Sequence, residues 1–559
     1  MKQYFPFLLP GDSSRSHVFP DFMSALAVTF MAVPQGVAYA VIAGLPPAMG
    51  LYAASIPCIV GGFMRSSKHV ITGPTNALSL LVAGAVAGMT QADPLSVGVT
   101  LALMVGVMQF SAGALRLGAF VDYISNPVVL GYITGAGLLI GIGQLPNVTG
   151  TLGGQGWLGE SLWVWVQGLA ATDSLTLTMA LSTSILILII RRINKRIPSA
   201  IIALGLATTV SWLFGFHEKG LKTIADLAPI PQGLPPLTLP DLSLLSVLFP
   251  VAFACTVLSL VESSAVARSV AADTRQRLQL SVEFTGQGLA NIAAGLFGGY
   301  PISGSLARTA INHQSGARSR YSGMMAGVMM LLILLVAGPV VNETPMAALA
   351  GLLLVVASDL VKTDRIRQTL NSNWSDRISF IGTLLGTWVL TLDQAIYVGV
   401  AISIIFFLRQ ARVVNIRQLT ITEDKSLVES EVGEVGGLES QPVRILQLEG
   451  HLFFGAVGQI QNAIEILTQV PKMKVLILRL RQAHGMDVTV ATQLIEIYER
   501  LTHENRYLIL TGVNNKVHSL LTKTGVIDKI GAAQVFTAEE KWFEAFERAR
   551  THAETLAKK

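Results

Sequence analysis

Apolar residues run in long blocks separated by short polar connections from residue 21 to residue 409. A helix that crosses the hydrocarbon core of a bilayer needs about 20 predominantly apolar residues. Fourteen stretches read as such segments: near 21–44, 48–64, 70–88, 96–115, 125–145, 176–191 and 199–215, then 245–268, 283–298, 302–315, 321–341, 346–361, 378–392 and 395–409. The longest polar interval, 216–244, contains Pro229, Pro231, Pro235, Pro236 and Pro240 and divides the set into two groups of seven. Beyond residue 419 the pattern changes. Charged residues become frequent, 443–448 and 475–480 read as strands, and 488–502 has helical spacing. Strand and helix in alternation predict a small soluble α/β domain. The predicted organisation is an N-terminal segment (1–20), a transmembrane domain (21–409, repeats near 21–215 and 245–409), a linker and first edge (410–442), and the soluble domain (443–559).

Composition places the chain in a class. Of 559 residues 51% are hydrophobic and 13% charged, against the roughly 25% charged of a soluble globular chain. This excludes a collagen-like, disordered or ordinary cytosolic protein and predicts a polytopic α-helical membrane protein, embedded in the lipid bilayer. The net charge of +5 does not point to nucleic acid, because the basic residues sit in short connections between apolar runs. With the N-terminus inside, the cytoplasmic loops carry Arg65 and Lys68; Arg116; Arg191, Arg192, Lys195 and Arg196; Arg275 and Arg277; Arg318 and Arg320; and Lys362, Arg365, Arg367 and Arg377. Alternate loops hold Lys219 and Lys222 and little else, and the chain returns to the cytoplasm at Arg409, Arg412 and Arg417. That asymmetry follows the positive-inside rule and predicts cytoplasmic termini. Cys58 and Cys255 lie in apolar stretches and imply neither a disulfide framework nor a metal site.

Seven helices followed by seven make the second half enter from the opposite side, the inverted repeat in which transporter sites form from interrupted helices. The third segment of each half is interrupted: 72–79 begins Thr72-Gly73-Pro74-Thr75, and 298–305 ends Ser303-Gly304-Ser305. The alternative is a loop capping an ordinary helix. Arg308 follows one turn later; its permanent charge requires a partner or an anion, the alternative reading being an ion pair with Glu262 or a snorkelling side chain. Glu262 lies mid-helix, where an ionisable group faces a cavity or partner, and a carboxyl group there suits proton carriage. Its alternative is a structural hydrogen bond to backbone. Two facing helix N-termini plus Arg308 supply roughly +2 of charge, enough for a divalent oxyanion when Glu262 is protonated; a monovalent anion beside ionised Glu262 balances equally well. Pro34 lies within the first helix and releases backbone hydrogen bonds there, while Gln35 and Tyr39, four residues apart, share one face, to contact either ligand or another helix. No nucleophile–base–acid set, phosphate loop or metal-ligand cluster is seen, so an enzyme, a cofactor and a metal are not expected.

Pro34-Gln35-Gly36-Val37-Ala38-Tyr39-Ala40 with Ala43-Gly44-Leu45-Pro46-Pro47, Gly73-Pro74-Thr75, Gly286-Gln287-Gly288-Leu289-Ala290-Asn291 and Ser303–Asn312 together resemble the SulP family of sulfate permeases and related anion transporters, solute carrier 26-like in kind. The likeness covers nearly the whole chain, including a C-terminal domain that resembles STAS domains. It implies fourteen helices as a 7+7 inverted repeat of core and gate domains, usually dimeric, working by elevator-type alternating access. Carried onto this sequence, the anion pocket takes Gln35, Tyr39, Thr75, Ser305 and Arg308, with Ser303 and Gly304 in the same interrupted segment, and Glu262 in the proton-coupling position. Val266 replaces a hydroxyl that sodium-dependent members place there, and Ala307 replaces a common Ser. In the STAS-like domain Met486-Asp487-Val488-Thr489-Val490 lacks the family's Gly; Thr489 is a candidate regulatory acceptor, Asp487 its alternative as a helix cap. The expectation is proton-coupled sulfate uptake by a homodimer in a bacterial inner membrane. The alternatives are bicarbonate or dicarboxylate (fumarate-like) transport, anion exchange, or an anion-responsive sensor signalling through the STAS domain.

Overall fold

A computed structural model describes residues 17–89, 91–118, 125–151, 158–194, 199–336, 338–411, 414–421, 427–433, 441–539 and 543–558. Residues 1–16 of the expected N-terminal segment, Lys195, Arg196, Arg412, and 422–426 and 434–440 of the expected linker lie outside the described residues. The chain divides into two compact units, 1–404 and 405–559.

The first unit runs α1 (Val18–Ile42), α2 (Pro47–Ala53), α3 (Ile56–Met64), β1 (Thr72–Gly73), α4 (Asn76–Gly88), α5 (Pro94–Ala114), α6 (Asn126–Thr149), α7 (Leu158–Gly168), α8 (Ser174–Ile193), α9 (Ser199–Leu213) and α10 (Ile224–Leu227). It continues with α11 (Leu245–Thr274), α12 (Leu280–Leu296), β2 (Ser303–Gly304), α13 (Leu306–Gln314), α14 (Tyr321–Val336), α15 (Gly338–Asn342), α16 (Met346–Leu360), α17 (Thr363–Leu370), α18 (Trp374–Val389) and α19 (Leu392–Ala411). Proline in the first turn opens α2, α3, α5 and α6, where its missing N–H costs no helical bond and its fixed φ suits the helix. Among the described residues, eight helical stretches are long and apolar enough to cross a membrane by length and composition.

Three predicted segments depart from a full-length helix: 48–64 is split at Ala54–Ser55 into α2 and α3, and two others are shortened. Of 70–88 only Asn76–Gly88 is helical, and of 302–315 only Leu306–Gln314. At 1.5 Å per residue these are about 20 and 14 Å long, against a hydrocarbon core of about 30 Å. In the remainder, Thr72–Gly73 and Ser303–Gly304 are extended; Pro74 biases Gly73, the residue before it, away from helix.

Close backbone contact organises the helices around these short ones. A Cβ built on Gly288 would lie 2.4 Å from Phe110 N, and one on Gly106 2.6 Å from Ile292 N, so α5 and α12 touch main chain to main chain. A Cβ on Gly50 would sit 1.9 Å from Gly36 O, seating α2 against α1 just beyond Pro34, through which the helix runs unbroken. Small residues at such seams let membrane helices approach closely. Leu78, Leu81 and Val82 of α4 pack in one buried cluster with residues of α5, α11 and α12, including Val105, Leu258 and Ala290.

The second unit holds β3 (Asn415–Ile421), β4 (Leu427–Ser430), β5 (Val443–Leu452), α20 (Val457–Thr468), β6 (Val475–Arg479), β7 (Ala483–Met486), α21 (Val488–His503), β8 (Tyr507–Val513), α22 (Asn515–Lys523), α23 (Val526–Ile530), β9 (Val535–Thr537) and α24 (Glu544–Ala557). The sheet order is β4-β3-β5-β6-β8-β9, with β7 beside β5. Strands β5, β6, β8 and β9 run parallel, and β3 is antiparallel to both its neighbours. Leu446, Leu476, Leu478 and Leu510 pack with α20 to α23, whereas the alternating Ile445, Ile477 and Ile509 pack with Phe546, Ala549 and Ala553 of α24. Both faces are thus covered, which is why these strands read as continuous apolar runs. The expected first edge is a two-stranded addition, β3 with β4.

Candidate functional site

The two interrupted segments meet. β1 and β2 pair antiparallel, with Thr72 opposite Gly304 and Gly73 opposite Ser303. Ser305 N donates to Ile71 O at 2.9 Å, and Ile71 N donates to Thr309 Oγ1 at 2.9 Å. The pair therefore delivers the N-termini of α4 and α13 side by side. Each N-terminus carries about half a positive charge on unsatisfied N–H groups. Ser305 caps α13, its Oγ accepting from Arg308 N at 3.4 Å. Thr75, at the corresponding position of α4, makes no cap; its hydroxyl donates to Glu262 Oε2 at 3.2 Å. Leu306 and Ala307, in the first turn of α13, are exposed, so this helix end opens onto accessible space.

Arg308 is 1% exposed. Its Nη2 donates to Pro74 O, and its Nε is buried with no partner. The guanidinium lies against β1 because residue 73 is glycine: a Cβ there would sit 2.5 Å from Nη1. Among the described residues no carboxylate forms an ion pair with Arg308 within 4.0 Å, so the Glu262–Arg308 pair weighed from sequence is not made. A buried guanidinium without a counter-ion is costly.

Thr75, Glu262, Ser303, Gly304, Ser305 and Arg308 are thus gathered around one strand pair. Gln35 and Tyr39 are buried on α1, which packs on α4 and α13. Tyr39 lies within electrostatic reach of Arg308 and Glu262, and Gln35 Oε1 is buried with no partner. Val266 is buried among Val70 and Ala267. Thr489 belongs to the second unit, exposed in the first turn of α21. The cap there is Asp487, which accepts from Val490 N at 2.9 Å and Phe454 N at 2.7 Å. His313 faces the ring of His69, centroids 5.4 Å apart. Among the described residues no three His, Cys, Asp or Glu side chains gather as a metal-ligand set.

Sequence reasoning missed the supports of β2. Ser259 on α11 and Gln287 and Asn291 on α12 all bond Ile302, the residue before the strand. The available signal was Gln287 and Asn291, two amides four residues apart within an apolar helix.

Residues 18–383 match the Sulfate permease family and residues 438–542 match the STAS domain. The Bacillus subtilis (strain 168) protein YvdB is 29% identical over 523 residues, covering 92% of this chain and 95% of its own. The sodium-independent sulfate anion transporter of Bos taurus is 27% identical over 578 residues, covering 97% and 91%. The inward-facing structure of the murine Slc26a9 anion transporter superposes with a TM-score of 0.88 at 21% identity, covering 99% of this chain and 94% of that one. The transmembrane domain of the cyanobacterial bicarbonate transporter BicA superposes with a TM-score of 0.59 at 23% identity, covering 70% and 99%. The match over most of the chain and the shared fold converge: the chain belongs to the sulfate permease family of membrane anion transporters and is a transporter, not an enzyme, with a C-terminal STAS domain.

Proposed function

We propose that this protein is a secondary active transporter that takes up sulfate together with protons. The observation that carries the reading is Arg308, a buried guanidinium with an unpartnered Nε set between the N-termini of α4 and α13. With the two helix ends it supplies roughly +2 of charge, which a dianion neutralises. Gln35, Tyr39, Thr75 and the Ser303–Ser305 segment line the same place in this reading. Glu262 is the proton carrier: ionised, it would subtract one charge from the site, so protonation favours the dianion. The relative named as a sulfate anion transporter supports sulfate. Fourteen crossings arranged as a 7+7 repeat, an elevator-type motion, a homodimer, cytoplasmic termini and a bacterial inner membrane complete the proposal. Thr489 is its candidate regulatory residue.

A monovalent anion such as bicarbonate is the second reading. It is favoured by the Thr75 hydroxyl donating to Glu262, an arrangement that suits an ionised carboxylate and leaves one net positive charge. Uptake of radiolabelled sulfate into proteoliposomes, with and without an inward proton gradient, decides. Gradient-driven accumulation competed by selenate supports the first reading. Absent sulfate uptake with saturable bicarbonate or fumarate uptake replaces it, and anion binding without flux would point to a sensor.

A further inference from the structure

Two strands of two residues cannot hold themselves in place, since even an isolated two-stranded hairpin is marginal in water. The aim of the α13 N-terminus must therefore be fixed from outside, and the contacts converge on one peptide group. The carbonyl of Ile302 accepts from Ser259 Oγ at 3.0 Å, Gln287 Nε2 at 2.7 Å and Asn291 Nδ2 at 3.0 Å. Its N–H donates to Asn291 Oδ1 at 2.8 Å, so one carboxamide grips both polar groups of one residue. Ser303, the next residue, donates its hydroxyl to Ser259 O at 3.0 Å. All three gripping side chains are fully buried.

The grip has a fixed polarity. Arg65, buried at the end of α3, can only donate, and its Nη2 reaches Ser263 Oγ at 2.7 Å. Ser263 must accept there and so turns its own proton to Gln287 Oε1, 3.3 Å away. This orients the Gln287 amide with Nε2 toward Ile302. Hydrogen bonds in such a chain polarise one another in a low-dielectric interior. Asn291 is anchored in the same way, Nδ2 also donating to Gln109 Oε1 on α5 at 2.8 Å.

We propose that Gln287 and Asn291, with Ser259, are positioning residues for the anion site, and that Arg65 and Ser263 set the orientation of Gln287. The assignment rests on the proposed site at Arg308. The side chains touch no anion; they hold Ile302, so that Ser303, Gly304 and the first turn of α13 present their donors at fixed distances. Donors displaced by even an ångström lose much of their effect on a bound group.

The test uses the full chain in lipid nanodiscs and proteoliposomes, with Gln287→Leu and Ser259→Ala. Hydrogen–deuterium exchange is read over 302–309 and over the rest of the transmembrane unit. The expected result is faster exchange confined to 302–309 at an unchanged melting temperature, with Gln287→Leu the larger effect. KM should rise about tenfold in Gln287→Leu for whichever of sulfate, bicarbonate and fumarate the parent protein carries, the equivalent of one lost hydrogen bond of typical strength. The KM ratio between that anion and a larger or smaller competitor should change with it. Unaltered exchange over 302–309 in the folded variants overturns the proposal, as does loosening spread over the whole unit. Arg308→Ala separates the two readings: normal transport by that variant, alongside locally loosened exchange in Gln287→Leu, refutes the anion site while the grip on Ile302 stands.

Discussion

Arg308 lies flat against β1 only because residue 73 lacks a side chain, and among the described residues no carboxylate pairs with its charge. Arg308→Ala should therefore leave the fold intact and weaken anion binding; loss of a charge-assisted hydrogen bond of about 1.5–3 kcal/mol corresponds to roughly ten- to a hundred-fold in affinity. Equilibrium binding of the labelled anion, beside a melting curve, checks it. Gly73→Ala makes a finer test at the same place: the new methyl group must push the guanidinium aside, so KM should rise while the unit still folds. Glu262→Gln keeps an acceptor for the Thr75 hydroxyl but carries no exchangeable charge. It should abolish the response of uptake to an imposed pH gradient while anion exchange continues, and a proton dependence like that of the parent would remove Glu262 from coupling. Arg308 and Glu262 were legible in the sequence because a charged residue among apolar ones is rare and must be explained. Their separation was not legible: whether Arg308 met Glu262 or left it to Thr75 depended on side-chain directions that spacing leaves open.

At the scale of the element, hydrophobic run length located every helical region of the first unit that was predicted, and it failed where length stopped meaning helix. Within the apolar runs 70–88 and 302–315, Thr72–Gly73 and Ser303–Gly304 are strands that pair with each other rather than helix; Pro74 biases Gly73 toward extended backbone. α7 and α17 went unpredicted: α17 because it is polar, with Asp364, Arg365 and Arg367 among its residues, and α7 because Glu160 interrupts its apolar run. The STAS-like strands were visible because burial on both faces makes them uninterrupted apolar runs, whereas β3 and the edge strand β4 carry alternating polar residues and read only as a linker or first edge. Helix contact generates its own prediction. Gly50→Ala would place a methyl group 1.9 Å from Gly36 O, backbone that cannot swing away, and should destabilise the first unit by about 3 kcal/mol. A fall in melting temperature in detergent measures this; a neutral substitution would mean that α1 and α2 can part.

For the whole molecule, two compact units each contain their own apolar clusters. Residues 414–559 should accordingly fold as a soluble domain. Phe546 is 2% exposed on α24, lying over the Arg479 guanidinium, and Phe546→Ala should cost about 3–5 kcal/mol in denaturant unfolding of that domain; a shift below 1 kcal/mol would show that α24 is dispensable to its core. The seam between α5 and α12 has a mechanical meaning. A layer of side chains between two helices can yield in shear, each rotamer taking up part of a displacement. Where Gly106, Gly113, Gly288 and Gly295 bring main chain against main chain, that compliant layer is missing. The two helices then behave as one stiff beam, and since Gln109 on one holds Asn291 on the other, any force that displaces α5 reaches the peptide of Ile302 with little lost along the way.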